Sequence, residues 1–130
     1  MKIVTTWKKD HQFEAKQEHN AIQLDGDKQN GFGPKALLLA GLAGCSGIDV
    51  VDILEKKKVE FADFSIEVET EQTNEHPKVF KDILITYRLK TDKENKIKVE
   101  KAIELSLDKY CGVSAMLKKN SDIDYKLVIE

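Results

Sequence analysis

An α+β fold, with two helices packed on mainly antiparallel sheet, is what this sequence predicts. Three observations lead there. One apolar, glycine-bearing stretch is long enough for a buried helix, a second stretch repeats with helical period, and strand-like alternation comes before, between and after them. The 130 residues are most simply one domain, 1–130, large enough for a single core.

Residues 1 to 25 read as two or three short strands forming an antiparallel meander. Ile3, Thr5 and Trp7 share one face, Phe13 and Ala15 another, and Ile22 and Leu24 a third, with breaks at Lys9-Asp10 and Glu18-His19-Asn20. Strand aromatics usually pack, so Trp7, Phe13 and Phe61 are expected in the core. Asp25-Gly26-Asp27 and Asn30-Gly31 supply turn chemistry.

The chain is organised around the segment from Gly31 to Lys58. Pro34 opens a helix, because its missing N–H would have no partner in the first turn. From Ala36 to Ala43 every side is apolar or glycine, the mark of a long, central, buried helix. Gly41, Gly44 and Gly47 recur every third residue, each costing about 1 kcal/mol relative to alanine inside a helix. They predict a close approach, by another helix in the first instance or by a narrow pocket around Cys45 in the second.

After Lys58 the period changes. Phe64, Ile66 and Val68 point one way and Ser65, Glu67 and Glu69 the other, giving a half-buried strand. His76-Pro77 marks a turn, and Ile83, Ile85, Tyr87 and Leu89 repeat the alternation in an antiparallel partner. From Ile97 the helical period returns and is expected to run through Leu107, Tyr110 and Ser114 to Leu117. Ile123, Tyr125, Leu127 and Ile129 form a last strand.

Composition excludes several classes. The net charge of −2 comes from interleaved lysines and carboxylates with no basic block, so no nucleic-acid partner is expected. The N-terminus has no apolar signal region, and the run from Ala36 to Ala43 is too short and glycine-rich to span a bilayer. A cytoplasmic protein without a membrane partner is expected. His11, His19 and His76 are scattered and never spaced with a cysteine in a zinc pattern. Asp49, Asp52 and Glu55 read as a solvated helix face, and neither a metal nor a cofactor is called for. Phosphate-loop, serine-elbow and nucleotide fingerprints are missing.

The chemistry rests on two cysteines, one in each predicted helix: Cys45 in GCSGIDVV and Cys111 in KYCGVSAML. Helical spacing puts Leu38, Gly41, Leu42, Ile48, Asp49 and Asp52 beside the first, and Glu104, Leu107, Asp108, Ser114, Ala115 and Lys118 beside the second. Without an export signal, such cysteines are free thiols, metal ligands or redox residues more often than a structural bridge. Two small hydrophobes filling core is the plain alternative.

A first helix carrying GPKALLLAGLAGCSGIDVV, a second with DKYCGVSAML, and the strands around them make the chain resemble the OsmC/Ohr family of osmotically inducible and organic hydroperoxide resistance proteins, in its YhfA-like branch. The resemblance covers essentially the whole chain. It implies an intertwined homodimer with the two central helices buried between sheets and a site at the subunit interface. It also implies catalytic roles for Cys45 and Cys111: the first attacks a small apolar hydroperoxide as thiolate, the second resolves the sulfenic acid into a disulfide, and a dithiol reductant restores both. Peroxidatic members of the family hold the thiolate with an arginine from the N-terminal strands and a glutamate about ten residues before the first cysteine. Here no arginine precedes Cys45, and the position ten before it is Lys35. Mid-helix placement and the like charge of Asp49 give Cys45 no help as a thiolate either. Lys35 acting from the other subunit, or Lys118 beside Cys111, are the candidate cations. The alternative expectation is a non-catalytic dimer that binds a small apolar or thiol-reactive ligand at its interface.

Overall fold

A computed structural model describes residues 1–130, which fall into two compact units, 1–39 and 40–130. The first holds strands β1 (Val4–Lys9), β2 (Gln12–Gln17) and β3 (Asn20–Asp25) in an antiparallel meander. Trp7 stands opposite Phe13 across β1 and β2, yet both are exposed, as are Ile3, Val4 and Ile22. The expectation that Trp7 and Phe13 are core is therefore wrong for the single chain; Phe61 is half-buried against the core, as expected.

Asp25 closes the meander. Its buried carboxylate accepts the amide N–H groups of Asp27 (2.9 Å), Gln29 (3.2 Å) and Asn30 (3.0 Å). These hydrogen bonds hold its carboxyl below the usual range. Gly31 follows where a side chain would not fit: an added Cβ would meet the Gln23 carbonyl oxygen at 2.6 Å.

Helix α1 spans Ala36–Lys56 and is entered through i→i−3 bonds that begin at Gly33 and Pro34. Leu42, Ser46, Val50 and Leu54, four residues apart, are its fully buried stripe. The rest of the helix departs from the sequence expectation. Leu38 and Ile48 are 49% and 65% exposed, so a helix apolar on every side covers only one side within its own chain. An 18-residue stretch within the helix has a mean hydropathy of 1.9, enough for a bilayer span by length and composition, which the shorter apolar run did not reveal.

The second unit carries a sheet of β4 (Ala62–Gln72), β5 (Phe80–Lys90) and β6 (Ile123–Ile129), in that order. β4 and β5 are antiparallel, whereas β5 and β6 run parallel, with Tyr87 beside Leu127. A parallel neighbour needs a crossover, and α2 (Lys96–Leu105) with the segment after it provides one. Ile83, Ile85, Tyr87 and Leu89 form the centre of the core with the α1 stripe and with Val99, Ala102 and Ile103 of α2.

The predicted second helix is interrupted. After α2, Ser106–Tyr110 widens into a π-turn closed by a 2.7 Å bond from the Cys111 N–H to the Ser106 carbonyl. Cys111 itself is extended (φ −75°, ψ 105°), and α3 (Gly112–Leu117) starts after it. Cys111 is thus the N-cap of a short helix, not a mid-helix residue. The helical period in the sequence could not show this, because the Cys111 to Ser106 bond that defines the turn is set by backbone geometry and not by residue type.

Candidate thiol site

Cys45 is half-buried on α1 and Cys111 is 3% exposed; both are free thiols. The two thiols lie close enough to act on each other, so residues 66 positions apart in sequence meet at one point. Burial pushes the Cys111 thiol up, the neighbouring Cys45 thiol acts in the same direction, and the Ser114 amide N–H, which donates to Cys111 Sγ at 3.3 Å, opposes them.

The interruption of the second helix frees carbonyls that other groups satisfy. Ser114 Oγ donates to the Leu107 and Cys111 carbonyls, each at 3.0 Å, and Lys118 Nζ donates to the Leu107 carbonyl at 2.6 Å. Lys118 also lies 3.4 Å from Asp108. Its charge is therefore committed to the turn that carries Cys111, not to the thiol. Arg88 pairs with Glu67 (3.7 Å) and Glu130 (3.5 Å) at the surface. Lys35 immediately precedes α1, ten residues before Cys45 in the chain.

Behind the thiols runs a chain of hydroxyls that sequence reasoning missed. Tyr87 Oη is 2.6 Å from Ser46 Oγ, Ser46 Oγ is 2.9 Å from Ser106 Oγ, and Ser106 Oγ is 2.9 Å from Asp49 Oδ2. Ser46, Ser106 and Tyr87 are completely buried. Burial pushes the Tyr87 hydroxyl up to about 12 against the opposing pull of its bond with Ser46, and the Cys111 thiol and Asp49 carboxylate raise it further. Asp49, expected on a solvated face, is the acceptor at the end of this chain. A signal was present: Ser46 and Tyr87 stand at positions where the surrounding periods demand apolar residues, and a polar group there must find a partner.

The glycine expectation also needs correction. No helix approaches Gly41, Gly44 or Gly47 within the chain. A Cβ at Gly47 would meet Ile66 of β4 at 3.0 Å, and nothing lies within 4 Å of Gly41 or Gly44. Gly44 and Gly47 instead border an open hollow of about 510 Å³ between α1 and β4, lined also by Ala43, Ile48, Val51 and Phe64.

The family model for OsmC-like proteins matches residues 25–126, the span holding both cysteines. The chain belongs to the OsmC-like family. Protein YhfA of Escherichia coli K12 is 33% identical over 105 residues, covering 80% of this chain and 78% of that protein. Among solved structures, a hypothetical protein from Aquifex aeolicus VF5 is 29% identical with a TM-score of 0.84, covering 99% of this chain and 96% of that one. The organic hydroperoxide resistance protein OhrB of Bacillus subtilis shares the fold at 18% identity and a TM-score of 0.66, covering 98% of each chain. The mixed α+β architecture with one long helix is thus the OsmC-like architecture.

Proposed function

We propose that the protein is a cytoplasmic thiol redox protein that acts on organic hydroperoxides or other small electrophiles through Cys45 and Cys111. The observation that carries this reading is the close approach of two free thiols, one half-buried and one buried at the edge of the core. Cys45 is the more open sulfur and takes the first step: as thiolate it attacks the peroxide, the O–O bond breaks, and the alkoxide leaves as alcohol after taking a proton. Cys111, held protonated by burial, then attacks the Cys45 sulfenic acid; the S–S bond forms and its proton leaves with the hydroxide as water. A dithiol reductant reverses the oxidation by exchange.

The working form is a homodimer. The exposed apolar residues of α1 (Leu38, Ile48) and of the first sheet (Trp7, Phe13, Ile22) support this, being more than a single soluble chain leaves uncovered without use. In such a dimer the partner subunit's Lys35 is the candidate cation in place of the missing arginine.

The test is to reduce the protein, add one equivalent of cumene hydroperoxide, and follow free thiols. Rapid loss of both thiols in wild type, with a trappable sulfenic acid in Cys111→Ser, is the expected result. The open apolar hollow beside Gly44 and Gly47 favours a second reading, a dimer that binds a small apolar ligand. Thiols that stay reduced over many minutes, with ligand binding that survives Cys45→Ser, would decide for it.

A further inference from the structure

We propose that Ser106 is a positioning residue for the thiol pair: its hydroxyl ties the start of the turn that presents Cys111 to the turn of α1 that carries Cys45. The proposal rests on the redox reading above for its use, though not for its geometry.

Ser106 Oγ lies 2.9 Å from Ser46 Oγ, 2.9 Å from Asp49 Oδ2 and 3.5 Å from the Ser46 carbonyl, all on α1. Ser46 follows Cys45 directly in the chain. On the other side, the Ser106 carbonyl accepts the Cys111 N–H at 2.7 Å and so closes the π-turn. One residue therefore joins the two cysteines: its side chain is anchored on the α1 residue next to Cys45, and its backbone carbonyl holds the Cys111 N–H. A hydroxyl has one proton, which serves one of these acceptors at a time; with Asp49 ionised, the carboxylate is the stronger claimant. Whichever acceptor holds it, the anchor stays on α1 next to Cys45. Alanine would fill this space without a polar group to satisfy, so the hydroxyl fixes register where packing alone would tolerate a slide.

Disulfide formation tests the register directly. In exchange with oxidised glutathione, the glutathione S–S bond breaks, the Cys45–Cys111 bond forms, and two reduced glutathiones carry off the two thiol protons. The equilibrium constant is the effective concentration of one thiol at the other. Ser106→Ala is a clean variant: Ser46 and Tyr87 keep each other at 2.6 Å, and half-exposed Asp49 turns to water, so no buried polar atom is orphaned.

The experiment equilibrates wild type and Ser106→Ala across glutathione buffers, reads the oxidised fraction by mass after alkylation, and measures urea stability of the reduced forms alongside. The expected result is a fall of about tenfold in effective concentration for Ser106→Ala. Asp49→Ala falls less, and Asp49→Asn, which keeps an acceptor, stays near wild type. A hydroxyl that merely supports the fold would stabilise dithiol and disulfide forms alike, moving the urea midpoint and leaving the redox equilibrium where it was. That outcome overturns the proposal, as does a wild type that forms no internal disulfide at any glutathione ratio. A protein inert to hydroperoxide whose glutathione equilibrium still falls in Ser106→Ala would refute the proposed function and leave the positioning role standing.

Discussion

Tyr87 Oη and Ser46 Oγ stand 2.6 Å apart in the centre of the core, each the partner that makes burial of the other tolerable. The pair joins β5 to α1, and removing the two partners has unequal consequences. In Tyr87→Phe, Ser46 still has Ser106 at 2.9 Å, and the loss is that of one net hydrogen bond, about 1 kcal/mol. In Ser46→Ala the Tyr87 hydroxyl is left buried without its hydrogen bond, at about 1–3 kcal/mol. Urea titrations of the reduced proteins should rank Ser46→Ala below Tyr87→Phe.

The same core gives the protein an alkaline limb. Burial first, then Cys45, raises the Cys111 thiol above its ordinary 9.0, and burial raises the Tyr87 hydroxyl from 10.0 to about 12. Both groups are neutral when protonated and are raised on folding. Their contribution is therefore complete below the unfolded values and is lost as pH rises from 9.0 through the folded range. Stability of the reduced protein should decline above about pH 9, and Cys111→Ala should move the start of that decline upward. Thermal midpoints measured from pH 7 to 11 check this.

The turn after β3 should depend on the charge of Asp25. Its carboxylate accepts from three amide N–H groups, so Asp25→Asn, which presents an NH₂ group to those donors, should speed hydrogen exchange at Asp27, Gln29 and Asn30. The carboxyl is held below its ordinary 3.8, so the support it gives is present above that value and lost as pH falls below it. Exchange that is unchanged in the variant would contradict this account of the turn.

If α1 meets a second copy of the chain, Ile48→Asp places a charge on the exposed apolar side without touching the buried stripe of Leu42, Ser46, Val50 and Leu54. Sedimentation should then show wild type at twice the chain mass and Ile48→Asp at the chain mass, with helix content preserved. A wild type that sediments as a single chain would contradict the dimer.

Much of the fold was legible because its periods are clean. Ile83, Ile85, Tyr87 and Leu89 alternate as strand residues of a buried sheet must, and Pro34 marks the entry to α1. The thiols were legible as candidates because two cysteines stand in matching glycine-flanked contexts. What stayed hidden depends on spatial pairing. Ser46 is one polar letter in an apolar helix until Tyr87 and Ser106 arrive from elsewhere in the chain, and Asp49 looks solvated until Ser106 reaches it. The π-turn was invisible for a related reason: the bond from Cys111 to Ser106 that defines it is a property of backbone geometry and not of residue type. The exposed side of α1 was misjudged because apolar composition shows that a surface seeks cover, and says nothing of which chain supplies it.

The most direct test of the thiol account is a peptide map of the reduced protein after one equivalent of cumene hydroperoxide. The account predicts that Cys45 and Cys111 peptides are recovered joined by a disulfide within one chain, with loss of both thiol hydrogens from the intact mass. Recovery of both peptides as free thiols, or of Cys45 oxidised beyond sulfenic acid with Cys111 untouched, would contradict it.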